Sequence, residues 1–325
     1  MISLGAIVVV LRSVDLDQTA AALSHTNVLL LAPCILLVGA GIALRAWRWQ
    51  RLLPMPEGRA VPVGRIVPIL LIGYLGNTLL PARLGEPIRA YLLARREGLS
   101  SFELLGTALI ERVVDLCVLS VMAFVAAWAI AAPSWVVQLT GVAAAGSLVM
   151  ILALTVVGLG PVVALLERAT RRVHAPGAAT LVVRLERFAR GLGGQSQRIP
   201  VAQAAGLSIP IWLVDTTTCW LVAQSLGAGL SPASALLVIA VGALGTSVPS
   251  APGYIGTYEL AASAAARAVG LAAPAALSLA IVIHVVTLLP VALAGAASML
   301  VIGSGSLLDL AHAAGETDAT AEGEG

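Results

Sequence analysis

The sequence predicts an all-α polytopic membrane protein with about six to eight transmembrane helices, two of its helical elements being broken or re-entrant. Three observations carry that prediction. The chain is 59% hydrophobic and 11% charged, with a mean hydropathy of +0.97, outside the range of a soluble domain. Apolar runs of about 20 residues recur from Val28 to Ile302, each long enough to cross a bilayer core. Such repetition excludes a lone cleaved signal peptide. Finally, two further apolar stretches are too short to span, are interrupted by glycine and proline, and run into polar motifs.

Taken in order, "MISLGAIVVVLR" is too short to span alone, and "SVDLDQTAAALSH" reads as a polar, amphipathic connection. Val28 to Leu44 is a clear span ending in "RAWRWQR". Arginine favours the cytoplasmic side and tryptophan the headgroup layer, so this end reads as a membrane anchor. Ile66 to Ala82 is the first short stretch, holding Pro68, Gly73, Gly76, Asn77 and Pro81. Long runs follow from Leu104 to Ala132 and from Val136 to Leu159. Residues 161–199 form the most basic region, with Arg168, Arg171, Arg172, Arg184, Arg187, Arg190 and Arg198 against Glu167 and Glu186. Leu181, Leu185, Phe188 and Leu192 recur there at helical spacing. An interfacial helix on anionic lipid and a cytoplasmic basic loop both fit, and the two are compatible.

Val201 to Leu226 is a span carrying Asp215, and Pro232 to Val248 is the second short stretch. A small-residue helix reaches Gly270, and Ala275 to Ile302 is the last span, with His284 inside it. The chain therefore divides into one transmembrane domain, 1–304, and an acidic tail, 305–325, expected to be disordered. Repeat-like elements fall at about 66–130 and 232–302, with the basic loop at 161–199 between them.

Parity sets the orientation. The arginines at 45–51, 83–96 and 168–198 are all expected on the cytoplasmic side of a bacterial plasma membrane, as is the tail. If Ile66 to Ala82 crossed fully, Arg83, Arg89, Arg95 and Arg96 would lie outside. The stretch is therefore expected to dip in and return. The second short stretch occupies the matching place in the other half, which implies an inverted pseudo-repeat. Broken helices free backbone groups that hydrocarbon cannot satisfy, so two of them imply a polar cavity. An anionic headgroup suits the helix N-termini and arginine forks of such a cavity.

Charges inside a span cost roughly 2.5–3.5 kcal/mol each on insertion scales, so "ERVVD" at 111–115 needs partners. Two arrangements satisfy it. Arg112 and Asp115 can pair locally across one turn. Alternatively the segment lines the cavity, with Arg112 met by Glu86 or Asp115. Asp215 sits in "DTTTCW", whose threonines offer local partners. Cys34, Cys117 and Cys219 are odd in number, lie in apolar runs and lack ligand spacing, so they read as packing residues. No G-x-S-x-G, H-E-x-x-H or P-loop occurs, and "GLGGQS" follows no strand. No cofactor, metal or nucleic-acid partner is expected.

"GNTLLPARLGEPIRAYLL", "ALIERVVDL" and "PSAPGYIGTYE" together resemble the flippase-like transmembrane domain of the lysylphosphatidylglycerol synthetase family, which includes the multiple peptide resistance factors. The resemblance covers about residues 28–302. It implies movement of an aminoacylated phospholipid to the outer leaflet, the lipid being made by a separate soluble domain. Synthase activity is not carried over, because this chain matches the membrane part alone. The short N-terminal segment departs from the family's full first span, which leaves the helix count open. The residues matching the family motifs are Asn77, Pro81, Arg83, Gly85, Glu86, Arg89, Glu111, Arg112, Asp115, Pro249, Pro252, Gly253, Gly256 and Glu259.

The expected function is that of a lipid translocase binding a phospholipid or lipid-linked headgroup in an intramembrane cavity. Arg83 and Arg89 are expected on phosphate and Arg112 in the cavity. Glu86, Glu111, Asp115 and Glu259 would hold those arginines or meet a cationic headgroup. Gly85, Gly253 and Gly256 would permit close backbone approach. Two rivals stand beside it. One is a non-catalytic partner of a separate synthase or glycosyltransferase, docking through the basic loop. The other, ranked lower, is an intramembrane enzyme on lipid-linked substrates.

Overall fold

A computed structural model describes residues 26–55, 59–81, 83–156, 178–192, 198–247 and 250–322, with short pieces between 161 and 168. The N-terminal segment 1–25, Pro249, and Arg171 and Arg172 of the basic region lie outside the described residues. The described chain is helical: α1 Ala32–Leu52, α2 Val63–Leu79, α3 Gly85–Glu97, α4 Ser101–Ala129, α5 Ser134–Val156, α6 Ala178–Gly191, α7 Arg198–Ser225, α8 Pro232–Gly245, α9 Thr257–Ala268 and α10 Ala273–Glu322. Short 3₁₀ turns occupy Val28–Leu31 and Pro252–Tyr254.

By length and composition, four stretches among the described residues can cross a membrane: Val28–Leu52, Ser134–Ala153, Gln203–Ser225 and Ala273–Ile302. The outward sides of these helices are greasy. Ile35 and Leu36 of α1, Leu139, Val142 and Val149 of α5, and Leu293 and Leu300 of α10 are all exposed. A continuous apolar exterior is what a bilayer solvates and water does not. Over 305–325, where a disordered tail was expected, the backbone of α10 continues helical to Glu322. That segment is rich in alanine, the best helix former.

Two helix–break–helix units stand apart from the spans. α2 has 17 residues and α8 has 14, so at 1.5 Å per residue they reach only about 25 and 21 Å, short of a core of about 30 Å. α2 ends where Leu80 turns extended, and α3 packs back against it. α8 starts at Pro232 under a Ser231 cap, breaks after Gly245, and α9 packs back against it. Gly85 makes the first fold-back feasible, because a Cβ there would run into the Gly73 carbonyl oxygen. At the second, Gly256 holds a φ of 90°, open to glycine but strained for other residues.

The halves are related by exchange. Wherever α1 meets α2, α7 meets α8; α2–α3 recurs as α8–α9, and α3–α4 as α9–α10. The crossed pairs match too: α4 lies on α8 as α10 lies on α2, α1 on α10 as α7 on α4, and α1 on α4 as α7 on α10. The equivalent helices α1 and α7 run antiparallel. Asn27 N–H donates to the Ser225 carbonyl at 2.8 Å, Cys34 clusters with Cys219, Arg48 reaches Ser208, and Leu52 clusters with Ala204. The repeat is therefore inverted, with α5 and α6 inserted between its halves. Cys34, Cys117 and Cys219 are free and buried, as packing residues should be.

Candidate functional site

Where the two hairpins and the long helices converge, the structure holds a cavity of about 250 Å³. Its lining combines apolar Val38, Ile42, Ile239, Leu288 and Val291 with polar and aromatic groups: Arg45, Arg83, Arg112, Asp115 and Asp215 beside Tyr74, Trp212, Tyr254 and Tyr258.

A network of ion pairs runs from this lining into the protein. Arg48 binds Asp115 at 2.5 and 3.1 Å, donates to Ser208 Oγ at 2.7 Å and meets Glu111 at 3.3 Å. Arg89 donates to Glu111 at 2.6 Å and to Glu86 at 2.7 Å, with its guanidinium 4.4 Å from the Trp49 ring centre. Glu86 also receives Arg112 at 2.6 Å. Arg45 pairs with Asp215 at 2.5 Å, and the Trp212 indole N–H donates to Asp115 at 3.2 Å. Burying charges is tolerable in this form because each is paired and hydrogen-bonded.

The pairing leaves one cation over. Arg45, Arg48, Arg89 and Arg112 are matched by Glu86, Glu111, Asp115 and Asp215. Arg83 has no carboxylate within 4.0 Å among the described residues. It donates instead to the Thr246 carbonyl at 2.7 Å and to Thr246 Oγ1 at 3.1 Å. Thr246 caps the C-terminus of α8, where carbonyls carry partial negative charge. Arg83 thus bridges from the break of one hairpin to the break of the other, and its guanidinium lies 5.1 Å from the Tyr254 ring centre. Both residues hold left-handed backbone, φ 56° at Arg83 and 60° at Tyr254, which non-glycine residues seldom adopt. Arg112 also lines the cavity, and its buried Nε has no hydrogen-bond partner among the described residues.

The expected site residues separate into three groups. Asn77, Arg83, Arg112 and Asp115 line the cavity. Glu86, Arg89 and Glu111 stand behind it; Arg89 is buried against two carboxylates rather than presented to a phosphate. The rest of those described build the breaks. Pro81 is exposed at the tip of the first, and Asn77 Oδ1 accepts the Gly85 N–H at 3.0 Å. Pro252 and Gly253 form the 3₁₀ turn of the second. Gly256 precedes α9 and donates its N–H to Glu259 at 2.6 Å. Gly85 packs against α2, where a Cβ would meet the Gly73 carbonyl oxygen and Asn77.

Two participants are not signalled as such by the sequence. Arg45 and Arg48 read there as headgroup anchors, whereas α1 continues helical to Leu52 and turns both inward. Their i, i+3 spacing, which puts both on one face of α1, was the available signal. Asp215 is held by Arg45, whereas Thr216, Thr217 and Thr218 bond carbonyls of their own helix. Of the two partners considered for Arg112, Glu86 is the one it binds. His284 also lines the cavity, its Nδ1 2.5 Å from Glu259.

Comparison with known proteins agrees with this architecture. A relative, "Glycosyltransferase AglD" of Haloferax volcanii, is 26% identical over 319 residues, covering 88% of this chain and 51% of that protein. The chain thus spans about half the length of the curated relative it matches. No solved structure matches. The family described as "Lysylphosphatidylglycerol synthase TM region" matches residues 1–295. The chain belongs to that family of lipid-associated membrane domains.

Proposed function

We propose that this protein is a lipid translocase of a bacterial plasma membrane. It takes the anionic headgroup of a phospholipid or lipid-linked sugar into the cavity while the acyl chains stay in the bilayer. The observation that carries this is Arg83, a guanidinium without a carboxylate, set between the two hairpin breaks on the wall of an intramembrane cavity. A phosphate would replace the Thr246 carbonyl with a charge-assisted, bidentate partner, and Arg112 would supply a second fork. The inverted repeat supports the reading, since two antiparallel halves around one site can open it alternately to either face. The basic end of α6 and the C-terminus then lie in the cytoplasm.

The test is reconstitution. Purified protein in vesicles would be offered acyl-labelled phosphatidylglycerol, phosphatidylethanolamine and a polyprenyl-phosphate sugar. Selective transfer, lost in both Arg83→Ala and Arg112→Ala, is expected. Equal transfer by both variants and wild type would refute the reading.

A second reading rests on the relative named a glycosyltransferase, of which this chain spans 51%. Here the domain would present a lipid-linked sugar to a separate transferase without moving it. Co-purification of such an enzyme through α6, with lipid binding but no transfer, would favour this alternative.

A further inference from the structure

The two halves hold their hairpins with the same device but different chemistry. In the first, Glu86 of α3 binds Arg112 of α4 at 2.6 Å. In the second, Glu259 of α9 meets His284 of α10 at 2.5 Å. Arg112 and His284 each stand eleven residues beyond the first residue of their helix, Ser101 and Ala273. Glu86 and Glu259 each lie in the first turn of the returning helix. One half therefore carries a permanent cation where the other carries an imidazole, the side chain whose charge changes near neutrality.

We propose that the Glu259–His284 pair is a proton-binding site and that the protein couples lipid movement to proton movement. The proposal rests on the translocase reading above. In the protonated state an imidazolium faces a carboxylate, closing α9 onto α10 as Arg112 closes α3 onto α4. With Nδ1 engaged by Glu259, Nε2 is the ring nitrogen left to exchange the proton with cavity water. After its loss, neutral imidazole donates Nδ1–H to the carboxylate, the pair carries one net negative charge, and its hold weakens. Each cycle of the second hairpin would take one proton from the side to which the cavity opens and release it on the other.

The surroundings favour this pair. Around the cavity stand Arg45 of α1, Tyr74 of α2, Arg112 and Asp115 of α4, Asp215 of α7, Tyr258 of α9, and Arg83 and Tyr254 at the breaks. The lining from α8 is Ile239, Ala243 and Thr246, none of which titrates. Asp115 and Asp215 are held by arginines, and a phenol ordinarily keeps its proton at neutral pH. Tyr258 lies against the imidazole with ring centres 4.5 Å apart, fixing its orientation.

The experiment uses vesicles with acyl-labelled phosphatidylglycerol and an imposed gradient of one pH unit, the membrane potential being clamped. The readout is the steady-state leaflet ratio, which does not depend on how fast a variant works. One proton per lipid shifts that ratio by up to about tenfold in wild type. His284→Gln, which keeps a hydrogen bond but cannot titrate, is expected to give the ratio found without a gradient. Retention of the shift by His284→Gln, or its absence from wild type while lipid still moves, would overturn the coupling alone. No lipid movement in any protein would overturn the translocase reading and the coupling with it. Nitrogen-15 histidine spectra in nanodiscs decide the site itself: the resonance missing from His284→Gln must respond to pH across neutrality, and its failure to do so overturns the proposal.

Discussion

Replacing Arg89 with methionine would remove the centre of the buried network while keeping the length of the side chain. Arg89 is 2% exposed and reaches Glu86 at 2.7 Å and Glu111 at 2.6 Å. Removing one partner of a buried pair costs about 3–5 kcal/mol, mostly as the penalty of the charge left behind. Both carboxylates keep another arginine here, Glu86 through Arg112 at 2.6 Å and Glu111 through Arg48 at 3.3 Å. The lower end, about 3 kcal/mol, is therefore expected, roughly a hundredfold in the folded-to-unfolded ratio. Adding Glu111→Leu removes the poorly compensated charge, since Arg48 still holds Asp115. The double variant should thus cost less than the sum of the singles, by about 1–3 kcal/mol of coupling. Reversible unfolding in mixed micelles, followed by tryptophan emission, reads this directly because Trp49 lies beneath the guanidinium. A single-variant loss under about 1 kcal/mol, or additivity within about 0.5 kcal/mol, would refute the reasoning.

Other substitutions divide along the same lines. Arg83→Ala should lower affinity for an anionic lipid at least tenfold in a binding titration. It should cost stability only about 1 kcal/mol, since among the described residues Arg83 hydrogen-bonds neutral Thr246 and stacks over neutral Tyr254. Gly85→Ala should separate α2 from α3, because its Cβ meets the Gly73 carbonyl; the loss of folded protein on size exclusion should exceed that of Gly39→Ala, where a Cβ meets nothing within 4 Å. Glu103→Ala breaks only the exposed bridge to Arg190, 2.8 Å long, and should shift stability by no more than about 1 kcal/mol.

Much of the fold was legible because membranes impose simple rules. Run lengths marked the spans, and glycine and proline marked both hairpins, since each removes or strains helical backbone in a way composition records. The pseudo-repeat was legible from the two glycine- and proline-broken stretches in matching places, charge parity gave the re-entrant first stretch, and the paired contacts of the halves express both. Within the site, Glu86 with Arg112 was legible because an intramembrane arginine demands a carboxylate. Arg45 and Arg48 were not, because arginines alternating with tryptophans have the same composition at an interface as inside a polar core. What separates the two cases is Asp115 and Asp215, which lie far along the chain and announce no partner. Arg89 illustrates the converse: its motif pointed to phosphate, but a network that Trp49 and Glu111 close around it leaves no room for one.

The central claim is that a lipid headgroup lodges between the hairpin breaks, and site-directed capture tests it most directly. With the three buried cysteines replaced by alanine, single cysteines would be placed at Thr78 and Thr246 on the cavity wall and at Leu148 on the exposed face of α5. A phospholipid carrying a maleimide on its headgroup would then be supplied to the reconstituted protein. The account predicts capture at the two cavity positions, suppressed by unlabelled anionic phospholipid, with little at Leu148→Cys. Equal capture at all three positions, or capture at Leu148→Cys alone, would contradict it.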